Sequence, residues 1–132
     1  MPPIPKLLHW IEIVDLDVNV KSWRCKPDEI AHVLGGTFTI GTPGANYLGL
    51  VNKSGGLVTY FFYATGSALA ATYILNPIDV TTACEIPHFM TDSRGVWFTS
   101  KTQLNGGSAS GWKARVIIEV KKIDPDTGTV LA

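Results

Sequence analysis

The residues best suited to acid–base or metal chemistry near neutrality are the three histidines, His9, His32 and His88. Only His88 has a second ligand type at short range, Asp92, and that pair spans a turn rather than an element whose periodicity would make two side chains converge. One such pair makes no metal site, and the histidines read as surface or cap-bonding groups. Ser93 beside Asp92 lacks the strained Gly-x-Ser-x-Gly setting of a nucleophile, so Asp92-Ser93-Arg94-Gly95 reads as turn chemistry. Gly106-Gly107-Ser108-Ala109-Ser110-Gly111-Trp112-Lys113 has the small residues of a phosphate loop. Trp112 separates its last glycine from the lysine, however, and a strand follows where a helix N-terminus would have to hold the anion. Asp15 and Asp17 share one face of a strand in an ordinary polar-outward pattern, not as a glycosidase pair. No nucleophile, base and orienting group assemble, and neither a metal site nor a cofactor site emerges. The expectation is a non-enzymatic protein.

The four tryptophans, Trp10, Trp23, Trp97 and Trp112, are the remaining groups with binding potential. Flat aromatic rings fill sandwich cores and subunit interfaces, and they also stack on sugars. Trp97 alternates with Val96 and Phe98, so one face of its strand carries an indole. Trp112 follows a glycine-rich loop and reads as a surface anchor. Core or subunit interface is the leading reading, and a carbohydrate- or receptor-binding module built on Trp97 and Trp112 is the alternative.

The chain that must position these groups has 132 residues, which is one domain with room for a core that needs no metal or disulfide. Charged residues are 17%, and the formal net charge is zero. A neutral chain is a poor electrostatic partner for nucleic acid or an anionic membrane surface. Between Ile30 and Thr91 only Lys53, Asp79 and Glu85 are charged, so part of that stretch is expected to meet a partner. Cys25 and Cys84 are too few for a disulfide scaffold and read as buried thiols. The first residues hold three prolines and no long apolar run, so neither an export signal nor a membrane span is expected.

The organising stretch is Leu57 to Leu75, which has no charged residue. Leu57 to Tyr63 is dense in aromatic and β-branched types, Gly66-Ser67 signals a turn, and Tyr73-Ile74-Leu75 returns to strand composition before Pro77. It predicts a strand pair buried on most of both faces. Upstream, residues 1–8 form an extended arm fixed by Pro2, Pro3 and Pro5. Strand alternation follows, with Val14, Leu16, Val18 and Val20 on one side and Asp15, Asp17, Asn19 and Lys21 on the other. Pro27-Asp28-Glu29, an apolar run and Gly35-Gly36 predict a short helix near residues 27–34. Short strands follow at Thr37 to Ile40 and Tyr47 to Val51. An edge segment or two short pieces cover Ile78 to Phe89, since Pro77 and Pro87 flank or interrupt them. Met90 to Gly95 reads as a turn and Val96 to Ser100 as a strand. A loop covers Asn105 to Gly111, and a last alternating strand points Ala114, Val116, Ile118 and Val120 inward. Residues 124–132 read as a short tail after a single domain over 9–123. Seven to nine strands and one helix predict an all-β antiparallel sandwich with jelly-roll-like topology.

The order of these pieces carries a resemblance. Leu50-Val51-Asn52-Lys53-Ser54-Gly55-Gly56 precedes the apolar strand Thr59 to Tyr63, and small residues lead to Ile74-Leu75. Glu85-Ile86-Pro87, the strand Gly95 to Ser100, the small-residue loop Gly107 to Gly111 and the strand Ala114 to Val120 close the pattern. Over residues 47–123 this resembles the small jelly-roll or TNF-like virion proteins of tailed bacteriophages that decorate or cement capsids. The resemblance implies a structural protein, usually a homotrimer, that binds the major capsid protein in a virion assembled in the host cytoplasm. Neither nucleic acid nor membrane is then a partner. Candidate interface residues are Pro2, Pro3, Ile4 and Pro5 of the arm, with Tyr60, Phe62, Trp97 and Trp112.

Overall fold

Ten strands pack as two antiparallel sheets in the computed structural model, which describes residues 7–41, 46–52, 56–64, 71–75, 89–92, 95–107 and 111–131. In chain order they are β1 (His9–Asp17), β2 (Ser22–Trp23), β3 (Glu29–Ile40), β4 (Asn46–Asn52), β5 (Leu57–Ala64), β6 (Thr72–Leu75), β7 (Phe89–Asp92), β8 (Gly95–Thr99), β9 (Thr102–Gly106) and β10 (Trp112–Lys122). One sheet runs β1-β10-β3-β8-β7 with β6 also on β3, and the other runs β2-β9-β4-β5. First pairs with last, second with second-last and third with eighth, while β4 and β5 form the innermost pair. This nested pairing is a jelly roll, the outcome of rolling one long antiparallel ribbon into two layers.

The long outer strands follow from side-chain alternation. Val14 and Leu16 of β1 and Ala114, Val116, Ile118 and Val120 of β10 all face the core. Opposite them stand Leu48, Leu50, Phe61 and Leu104 of the second sheet, completing one core with Phe38, Val33, Val96 and Phe98. Aromatic stacking ties the layers. Phe38 lies parallel to Trp112 at 5.6 Å and to Phe62 at 4.6 Å, and Phe62 meets Tyr73 at 4.8 Å. Burying each such large side chain stabilises the fold by roughly 1.5–3 kcal/mol.

The helix expected near residues 27–34 is a strand. Glu29 to Leu34 belongs to β3, and β10 pairs along its whole length. The helix-start residues serve other ends: the Lys26 amide donates to Glu29 Oε1 at 2.9 Å, and Lys122 Nζ bridges Asp28 and Glu29. Ile30, Ala31, His32 and Val33 are all buried, which a short helix on the surface could not achieve. Gly35 and Gly36 mark a bulge against β10 rather than a helix end, and Gly36 has φ +141°.

The Leu57–Leu75 stretch divides between the sheets. Its first strand, β5, pairs β4, and its second, β6, crosses to pair β3. Tyr60, Tyr63 and Ile74 are exposed, so the two strands are not buried on both faces within one chain. The first alternation stops at Asp17, whose Oδ1 accepts the amides of Asn19 and Val20 and turns the chain, leaving Val18 and Val20 exposed. Phe89, read as the end of an edge segment, and Met90 to Asp92, read as a turn, form the edge strand β7, and Thr102 to Gly106, read as no strand, is β9. Leu8 accepts a backbone bond from Lys122, and residues 123–131 fold back as a hairpin closed by an Ile123–Val130 bridge. The arm residues 1–6, His88, Ser93 and Cys84 lie outside the described residues.

Candidate functional site: the outer faces of the two sheets

Neither tryptophan expected as a ligand platform is exposed. Trp112 is 1% exposed, stacked on Phe38, and its Nε1 donates to the Gly107 carbonyl at 2.9 Å. Gly106 makes the space, since a Cβ there would run into the indole ring. The glycines after β9 thus seat the ring instead of displaying it, which corrects Trp112 as an anchor. Trp97 is also buried, although it sits on the outer face of the six-stranded sheet. There it packs with His32 at 5.0 Å between centroids, under Lys121 Nζ at 4.5 Å, and in a small second core with Ile30 and Ile123. Glu119 continues this row, paired with both His9 and His32.

The chemistry searched for in the sequence finds no support in these positions. Arg115 grips Asp15 with Nε at 2.8 Å and Nη2 at 3.3 Å, and this holds the Asp15 carboxyl below its ordinary range. The amides of Val20 and Asn19 do the same for Asp17. Two ionised carboxylates lack the raised-pKa partner that a general acid requires. Cys25 is a free, buried thiol whose pKa is pushed up to about 12, chiefly by burial and next by Glu29, which makes it a poor nucleophile. Among the described residues no three His, Cys, Asp or Glu side chains are arranged to hold a metal, and no helix is long and apolar enough to cross a membrane.

Two surfaces remain. On the six-stranded sheet the odd-numbered residues of β1 face outward, so Ile11 and Ile13 (63% exposed) stand beside Ile117, the cross-strand partner of Ile13. Gly35 faces Ile117 from β3 and adds no side chain, while Ile74 of β6, 81% exposed, stands opposite Thr37. The Asp15–Arg115 ion pair, Asp17, Lys113 and the Thr39–Thr72 hydroxyl pair border this strip. The parity that carries Asp15 and Asp17 outward carries Ile11 and Ile13 with them. That signal lies in the sequence, two and four residues before Asp15, where the strand reading assigns neither isoleucine to a face.

On the four-stranded sheet the outer face carries Tyr47, Tyr60 and Tyr63. Tyr47 meets Tyr60 edge-on at 5.6 Å, and Tyr60 meets Tyr63 at 4.9 Å. Asn105 Nδ2 donates to the Tyr47 hydroxyl at 3.4 Å from the neighbouring strand. Of the expected interface residues, Tyr60 is therefore on a surface, while Phe62 is half-buried between Phe38 and Tyr73. Pro2, Pro3, Ile4 and Pro5 fall outside the described residues. Compared with protein-family models, with curated proteins and with solved structures, the chain matches none of them.

Proposed function

We propose that the chain is a non-enzymatic structural module that assembles with copies of itself through the outer face of its six-stranded sheet. The observation that carries this reading is the isoleucine strip Ile11, Ile13, Ile117 and Ile74, left in water by a fold that has its own filled core. Large apolar side chains left exposed together on one sheet face mark an association site. Its border supplies both signs of charge, Asp15 and Asp17 with Arg115 and Lys113, so neighbouring copies arranged head to tail around a three-fold axis can meet it without uncompensated charge. The jelly roll and the resemblance to phage virion proteins support a reading in which this assembly sits on a capsid. The chain would act there as a decoration or cement protein, a homotrimer bound to the major capsid protein with Met1 to Lys6 as an arm across a neighbour. Each contact would be modest, and repetition around a symmetric shell would supply avidity.

The test is the solution mass of the purified protein by size-exclusion chromatography with light scattering. A closed oligomer, three chains on this reading, is the expected result. A monomer that persists at about 100 μM, some hundredfold above a micromolar dissociation constant, would count against self-assembly through this face.

A further inference from the structure

No residue of β2, β4, β5 or β9 is charged, whereas the six-stranded sheet carries acids on β1, β3, β7 and β10 and the bases Lys113, Arg115, Lys121 and Lys122 on β10. Onto this neutral sheet the fold sets its exposed tyrosine ridge. We propose that Tyr47, Tyr60 and Tyr63, with Asn105 and Gln103, form a binding site for a neutral oligosaccharide. The site goes beyond assembly through the other sheet.

A pyranose ring presents an apolar C–H face and a rim of hydroxyls. Recognition therefore needs aromatic faces for the first and neutral hydrogen-bonding groups for the second. Tyr60 (45% exposed) and Tyr63 (56%) offer the rings. Two centroid steps, of 5.6 and 4.9 Å, link the three rings into a ridge long enough for a short run of linked sugars. The rings brace one another, and Asn105 braces Tyr47, so little side-chain freedom is left to lose on binding. Gly49, opposite both Tyr60 and Asn105 in the register, adds no side chain between them and leaves a shallow floor. Gln103 and Asn105 are half-exposed and lie one residue apart on either side of the buried Leu104, so their amides share this face. An anionic glycan or nucleic acid would find no counter-charge on these strands. A protein partner is less well matched, because three partly exposed tyrosines fall well short of the roughly 800 Å² per side of a stable protein interface.

The experiment uses the full chain on an array of neutral and acidic glycans, followed by calorimetry with the strongest neutral oligosaccharide. Neutral glycans should be retained. Tyr60→Ala and Tyr63→Ala should each weaken binding about tenfold, while Tyr63→Phe, which keeps the ring, should change it less than about threefold. Melting temperature and light-scattering mass should stay those of the parent. Three outcomes would overturn the assignment: no neutral glycan bound at millimolar concentration, selection of acidic glycans only, or unchanged affinity in the Tyr60→Ala/Tyr63→Ala double variant. A fall in oligomer mass in that double variant would do so too, by making the ridge a protein contact.

Discussion

Cys25 shows how a single side chain can be legible in type and still carry information only its setting reveals. Its thiol donates to the Glu29 and Phe98 carbonyls, and burial with the nearby Glu29 carboxylate disfavours the thiolate. The folded pKa of about 12 lies above the unfolded value near 9. Above pH 9 the unfolded chain therefore releases a proton that the folded chain retains, and stability falls as pH rises through that window. The expected slope from this group is about 1.4 kcal/mol per pH unit. Urea titrations between pH 9 and 11 should show it, and in Cys25→Ala the pH dependence should flatten by one proton's worth. That Cys25 is buried was readable from residue type. That Trp112 is buried was not, because glycines flanking an aromatic residue look like a loop displaying it. The ring is instead accommodated where Gly106 lacks a Cβ, a three-dimensional fit with no local signature.

Among the elements, β1 and β10 were legible because each has one dry face and one wetter one, so their sequences alternate. β3 was not. It is buried on both sides for half its length, and such a run has no period of two to distinguish it from a short helix. Its flanking Pro27 and Gly35-Gly36 then tilted the reading, although the glycines are there for the neighbouring strand. A Cβ on Gly36 would collide with the backbone carbonyl of Arg115, and the residue already holds a positive φ. Gly36→Ala is expected to destabilise the protein by about 3 kcal/mol, seen as a lower urea midpoint at unchanged m-value. A shift within error of zero would mean the bulge relaxes freely. β9 escaped notice for the opposite reason: its inward residues are Thr102, Leu104 and Gly106, so only one of three core positions is hydrophobic.

At the scale of the molecule, the sandwich and its jelly-roll character could be read from strand count and spacing. The contrast between its two outer surfaces could not. A charge-poor middle stretch suggests a covered face, yet one sheet is free of charge on all four of its strands while the exposed isoleucines stand on the other. Assembly through those isoleucines predicts that Ile13→Lys, which sets a charge at the centre of the strip beside Ile117, lowers the light-scattering mass to that of a monomer. The melting temperature at high dilution should match the parent's, since Ile13 takes no part in the internal core. An unchanged mass would move the self-contact elsewhere.

The nested pairing also sets an order in time. His9 lies beside Lys121, and Asp17 beside Lys113, so the earliest of these ten strands to be synthesised waits for the latest before its inner edge is covered. Among the described strands only the β4–β5 and β7–β8 ribbons join close neighbours in the chain. Contacts this distant along the chain belong to folds that form in milliseconds to seconds rather than microseconds. Throughout synthesis the apolar residues of β1, Ile11 and Ile13 included, stay available to other nascent copies. On the proposed assembly, the strand that would bring finished subunits together is also the one with the longest opportunity to meet a neighbour too early.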